Sequence, residues 1–142
     1  MDTVVESAPY MTNCIECGSL IEATVIEALS GVKHQWDLEG NCPKCECVWY
    51  ERGCEAPPAR MRSAILAANG PTLLQLTGDN ATPAAVMRAL RAVKALSLIE
   101  ARSMADQLRA GGIEGTRVEM EALAVSLRAS GAVISIQSAN TA

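Results

Sequence analysis

Cys14-Ile15-Glu16-Cys17 and Cys42-Pro43-Lys44-Cys45 are two Cys-x-x-Cys pairs separated by 24 residues. Two-residue spacing lets both sulfurs of a pair reach one ion, and four thiolates suit the tetrahedral preference of Zn²⁺. One such pair is a weak signal; two in one short segment, each on an expected tight turn, are a strong one. Gly18 follows the first pair, where chain reversal favours a permissive backbone. The intervening loop exceeds the usual roughly 15–20 residues, and a hairpin absorbs the excess. A four-thiolate set leaves no open position for water. One structural Zn²⁺ per chain on Cys14, Cys17, Cys42 and Cys45 is therefore expected rather than metal catalysis, with a redox dithiol as the lesser alternative. So short a segment has too little core to fold alone, so the ion would supply much of its stability.

Between the pairs, residues 20–26 and 33–38 read as two strands joined by a Ser30-Gly31 turn, and residues 48–52 read as a third. Cys47 and Cys54 are left over as packing or free thiols, although Cys47 is close enough in sequence to compete as a ligand. His34, the only histidine, reads as a surface or packing residue. Residues 1–11 read as a flexible N-terminus, 12–54 as the cysteine domain, and 55–71 as a proline-containing linker with a short helix at 60–69 ended by Gly70-Pro71.

The charge distribution divides the chain at the same place. Residues 1–57 hold three Lys/Arg against ten Asp/Glu, and residues 58–142 hold nine against six. All six cysteines, both tryptophans and both tyrosines lie in the first part. There is no Phe, so the core must come from Leu, Val, Ile, Ala and Met. No apolar run reaches the roughly 18 residues that span a bilayer, and the N-terminus lacks the basic start and apolar stretch of a signal peptide. A cytoplasmic location follows as an expectation, and there six cysteines suggest metal before disulfides.

Residues 72–137 read as a second domain, followed by a tail at 138–142. A strand at 72–76 precedes a helix capped by Thr82 with Pro83 at its first position and running to about Lys94. Ser97 with Glu100, and Thr116 with Glu119, have capping-box spacing and open two further helices, closed by Gly111-Gly112 and Gly131. A strand or turn near 112–114 and a last strand at 132–136 complete a β-α-α-β-α-β order. The fold class is α+β. Val86, Leu90 and Val93 on the first of these helices, and Leu98, Ala101, Ala105 and Leu108 on the next, should face the core. Met87, Arg88, Arg91 and Lys94, flanked by Arg102, should form a basic surface with one exposed apolar residue. On the last helix Val118, Ala122, Val125 and Ala129 form a second apolar stripe, a candidate docking face for the cysteine domain, the 60–69 helix or a second copy.

Two resemblances follow from these residues. The paired knuckles over 12–54 resemble the zinc-ribbon class, whose members contact nucleic acids and proteins. The strong negative balance of the first part, with Lys33, Lys44 and Arg52 as its only cations, argues against nucleic-acid binding by the ribbon. Residues 72–137, through Val86-Met87-Arg88-Ala89-Leu90-Arg91, Leu96-Ser97-Leu98-Ile99-Glu100-Ala101-Arg102, and Glu121-Ala122-Leu123 to Ser130-Gly131-Ala132-Val133-Ile134, resemble the C-terminal domain of the bacterial ribosomal large-subunit stalk protein. That family recruits translational GTPases. The resemblance implies a partner surface at Met87, Arg88, Arg91, Glu100 and Arg102. Pro83 stands where the family is often basic, Ser97 replaces a glycine, and the family's dimerisation segment is absent.

With one His, no Gly-rich phosphate loop and no identifiable carboxylate pair, a non-enzymatic zinc-binding adaptor is expected. Its basic face would meet an acidic protein surface, with a translational GTPase or the ribosome as the implied partner. The alternatives are a module like the adaptor of the Clp protease, whose acid pair has no counterpart here, and a regulatory subunit of an unrelated complex. A homodimer is the further partner expectation, and no membrane contact is expected.

Overall fold

A computed structural model describes residues 3–138 of the 142. It is α+β, with two antiparallel sheets and four helices. The chain forms two compact units, Met1–Gly70 and Pro71–Ala142.

The first unit is a four-stranded meander, β1 (Thr3–Asn13), β2 (Leu20–Ser30), β3 (Lys33–Asn41) and β4 (Val48–Gly53), in sequential order. It is followed by α1 (Ala59–Asn69). The segment expected to be flexible at 1–11 is instead mostly strand: from Thr3↔Ser30 to Asn13↔Leu20, β1 pairs along the whole of β2. Its burial alternates without a break, and Pro9, which argues against a central strand, is accommodated because β1 lies at the sheet edge, where a residue can face its missing N–H outward. The Gly31-Val32 turn joins β2 to β3, with Gly31 at φ 65°.

Period-2 alternation gives this sheet one apolar face. Ala8, Ile21, Ala23, Val25, Trp36, Leu38 and Trp49 share it, and Met61 and Ile65 of α1 join the same cluster. The Asn69 side-chain amide donates to the Ser7 carbonyl at 3.0 Å and helps hold the end of α1 to β1. Two glycines make room for the indoles. Gly40 lies opposite Trp49 and Gly53 opposite Trp36. A Cβ on Gly40 would fall 2.4 Å from the Trp49 ring, and one on Gly53 would fall 2.2 Å from Trp36 Nε1.

The second unit runs β5 (Thr72–Leu76), α2 (Pro83–Val93), α3 (Leu98–Ala110), β6 (Ile113–Gly115), α4 (Arg117–Ala129) and β7 (Ile134–Ser138). β5 is central, in the order β6-β5-β7, with both pairings antiparallel. Thr82 Oγ accepts from the Ala85 amide at 3.1 Å, and the capping boxes of Ser97/Glu100 and Thr116/Glu119 are both complete. The core joins Leu74, Val86, Leu90, Leu108, Leu123 and Leu127 with smaller neighbours.

Three sequence expectations shift here. The last strand begins at Ile134 rather than at 132, because the Ala132 amide bonds back to Leu127 O and Gly131, at φ 89°, turns the chain. This is the Schellman closure of a helix, and it consumes both residues before a strand can start. Val93, expected in the core, is 40% exposed, and Leu98 is 62% exposed. Each occupies a helix end, the last residue of α2 and the first of α3, where helical periodicity no longer points a side chain at the core. Met87, expected to be exposed, is half-buried and packs against the core.

Candidate functional site

The four sulfurs converge because both pairs sit on turns at the same end of the sheet. Cys14–Ser19 connects β1 to β2, and Cys42–Cys47 connects β3 to β4. The two turns repeat one hydrogen-bond pattern. The Cys14 amide donates to Ser19 O at 2.8 Å and the Gly18 amide to Cys14 O at 3.0 Å; the Cys42 amide donates to Cys47 O at 2.8 Å and the Glu46 amide to Cys42 O at 2.9 Å. In each turn the first cysteine is buried and the second exposed.

Across the turns Cys14 Sγ lies 3.5 Å from Cys45 Sγ, and Cys17 Sγ lies 3.6 Å from Cys42 Sγ. All four sulfurs lie within 4.8 Å of one another. Tetrahedral coordination at the ordinary Zn–S length of about 2.3 Å places sulfurs about 3.8 Å apart, inside the observed range. The donor set and its spacing therefore fit one metal ion. Cys47 lies outside this quartet, half-buried against the sheet core, and Cys54 is exposed.

The electrostatics of the quartet are uneven. Cys17 is lowered to about 6 by the Ser19 hydroxyl and then the Ser19 amide. Cys45 receives a lowering hydrogen bond from the Cys47 amide, but burial and the neighbouring sulfurs of Cys14, Cys17 and Cys42 push it up to about 12. Cys14 is lowered, chiefly by the Cys17 amide. Cys47 is raised by burial and by Cys14. At neutral pH a metal ion would thus meet Cys17 already stripped of its proton and would have to displace the proton from Cys45.

At the far end of the same sheet Glu27 is fully buried, with Oε2 2.6 Å from His34 Nε2. His34 is thus a packing residue hydrogen-bonded to a buried acid. Glu27 Oε1 and Trp36 Nε1 are buried without hydrogen-bond partners among the described residues, and the two residues are opposite one another in the β2–β3 register. Sequence reading could not have found Glu27, since one acid in an alternating strand carries no mark of burial.

The expected partner-binding residues fall on the second unit as follows. Arg88, Arg91, Lys94, Glu100 and Arg102 are exposed on α2, α3 and the turn between them. Arg91 Nε donates to Leu96 O at 3.0 Å, which ties it to that turn. Glu100 accepts from the Ser97 amide at 2.9 Å and is lowered by that bond, so its carboxylate is engaged in capping. Val93 at the end of α2 and Leu98 and Ile99 at the start of α3 are exposed as well, Ile99 at 83%. Counted by unit, residues 1–70 hold five cations against ten acids and residues 71–142 hold seven against six. The basic character of the second unit is therefore local to this face.

On α4 the four stripe residues do not share one environment. Val118 is fully buried, Ala122 is half-buried, and Val125 and Ala129 are exposed. Among the described residues no helix is long and apolar enough to cross a membrane.

Comparison with protein-family models, with curated proteins and with solved structures finds no match to this chain. What fold and site define is a four-stranded β-meander whose four clustered cysteines fit a zinc-ribbon-like metal site, followed in the chain by a small α+β unit.

Proposed function

We propose that this chain is a non-enzymatic adaptor. Its first unit is held by one structural Zn²⁺ on Cys14, Cys17, Cys42 and Cys45, and its second unit binds an acidic surface on a partner protein. The observation that carries the partner reading is the exposure of Val93, Leu98 and Ile99 next to Arg88, Arg91, Lys94 and Arg102. Exposed apolar side chains and exposed cations carried by the same two helix ends suit a partner that supplies apolar contacts within an acidic surface. The β5-α2-α3-β6-α4-β7 order agrees with the resemblance to the ribosomal stalk domain, which supports a translational GTPase or the ribosome as that partner and a cytoplasmic setting. The reading of the chain as non-enzymatic is supported by His34, the one histidine, being committed to Glu27.

The test is capture from lysate on the immobilised full chain at low and moderate salt. Elongation factors or ribosomes should be retained by the wild type and released by salt. Arg88→Glu/Arg91→Glu should lose them. Retention unchanged by that double variant would remove the basic face from the reading, and capture of a protease chaperone would replace translation with the adaptor alternative.

A further inference from the structure

The outer face of the first unit's sheet carries a second, opposite kind of surface. The inner face is covered by α1, while the outer face presents Glu22 and Thr24 of β2, Glu39 of β3, and Val48 and Tyr50 of β4, all exposed. Glu39 lies directly opposite Thr24 on one side and Tyr50 on the other. Glu39 and Tyr50 line both of two adjoining shallow depressions. One, of about 240 Å³, also takes in Glu22 and Val48, and the other, of about 540 Å³, takes in Ile26 and the Asp37–Arg52 pair.

The charges on this face are not balanced internally. Arg52 is engaged by Asp37 at 2.7 Å, whereas Glu22 and Glu39 have no side-chain partner among the described residues. Tyr50 is 72% exposed, an unusual position for an aromatic side chain in a chain with so few. Carboxylates beside an open aromatic ring form a receptor for a cation, which gains both the charge pair and the ring face.

We infer that this face binds an extended basic segment of a partner protein, with one Lys or Arg side chain over Tyr50 against Glu39 and the next outward one against Glu22. Spacing supports the extended form. Glu22 and Glu39 stand in the diagonal cross-strand relation, which separates them by roughly 7–8 Å. Alternate side chains of an extended segment are spaced by roughly 7 Å. The excess of five acids over the first unit's cations would steer such a segment toward it. This inference is independent of the basic face on the second unit.

The probe is a fluorescein-labelled synthetic peptide of alternating arginine and threonine, titrated against the zinc-loaded full chain by anisotropy. The wild type should bind. Glu39→Lys and Tyr50→Thr should each weaken binding by about tenfold or more. Glu114→Lys, which makes the same charge change on the exposed surface of the second unit, should alter it by less than about twofold. Zinc content and circular dichroism establish that each variant is folded; if Glu39→Lys fails there, Glu39→Gln takes its place. Equal weakening by the Glu114 control would reduce the effect to net charge and overturn the inference, as would full affinity in Tyr50→Thr. Self-association of the unlabelled chain that Glu39→Lys abolishes would assign the face to a second copy and overturn it as well.

Discussion

Gly18 and Glu46 occupy the same place in the two cysteine turns, four residues after Cys14 and Cys42, and both are left-handed, with φ of 75° and 65°. Each donates its amide to the carbonyl of the first cysteine in its turn. Glycine accepts that conformation freely, but glutamate does not. Glu46→Gly should therefore stabilise the first unit by about 1 kcal/mol. Chemical denaturation of the zinc-loaded protein would measure it. A loss of stability would mean that the Glu46 side chain makes a contribution its exposed position does not suggest.

The uneven thiols set the direction of the pH dependence. Metal binds thiolates, and Cys45, held at about 12, keeps its proton across the physiological range until an ion displaces it. Zinc affinity should fall by at least about tenfold for each pH unit of acidification, the slope that displacing one proton requires. Competition against a chromophoric chelator at several pH values would show this. A flat profile would exclude a protonated ligand. The depressed Cys17, at about 6, acts in the same direction on the metal-free fold: its contribution is fully present above 9.0 and lost as pH falls through 6.

Glu27 and His34 form a lock at the opposite end of the sheet. His34→Ala would leave the fully buried Glu27 side chain without its one hydrogen-bond partner among the described residues, a change that costs about 2 kcal/mol. Combining it with Glu27→Leu should recover most of that loss. Denaturant midpoints of the single and double variants test the coupling, and additive losses would show that the pair is not energetically linked.

Ile99 should matter to binding and not to folding. Ile99→Asp removes an apolar side chain that is 83% exposed, so stability should change by less than about 0.5 kcal/mol. Capture of the partner should be lost as completely as in Arg88→Glu/Arg91→Glu. A variant that folds and still captures would leave only the cations in the interface.

The convergence of the four cysteines, the capping boxes and the element order of the second unit were legible because each rests on local spacing: Cys-x-x-Cys, Ser97 with Glu100, Thr116 with Glu119. β1 was not, since an edge strand needs only one paired side and Pro9 reads as a breaker until that geometry is known. Val93 and Leu98 obey helical periodicity but sit where the helices end. Periodicity says which side of a helix is apolar and nothing about how far the core extends along it. Glu27 escaped for the same reason from the other side: alternation marks a face without showing what closes over it. The left-handed Glu46 was hidden because the pattern at Gly18 was visible only through its glycine.

Since β1–β2 and β3–β4 are hairpins whose turns carry the four cysteines, an ion held there would tie together two ribbons already joined by the β2–β3 pairing and the Gly31-Val32 turn. Withdrawing it would leave the far corner, with Glu27, His34 and the nearby indole, still latched. The chain would open as a hinged clasp rather than unravel. Reloading would then need no search through alternative strand pairings, because the correct edges remain within reach, and capture of a scarce ion would be followed by rapid closure.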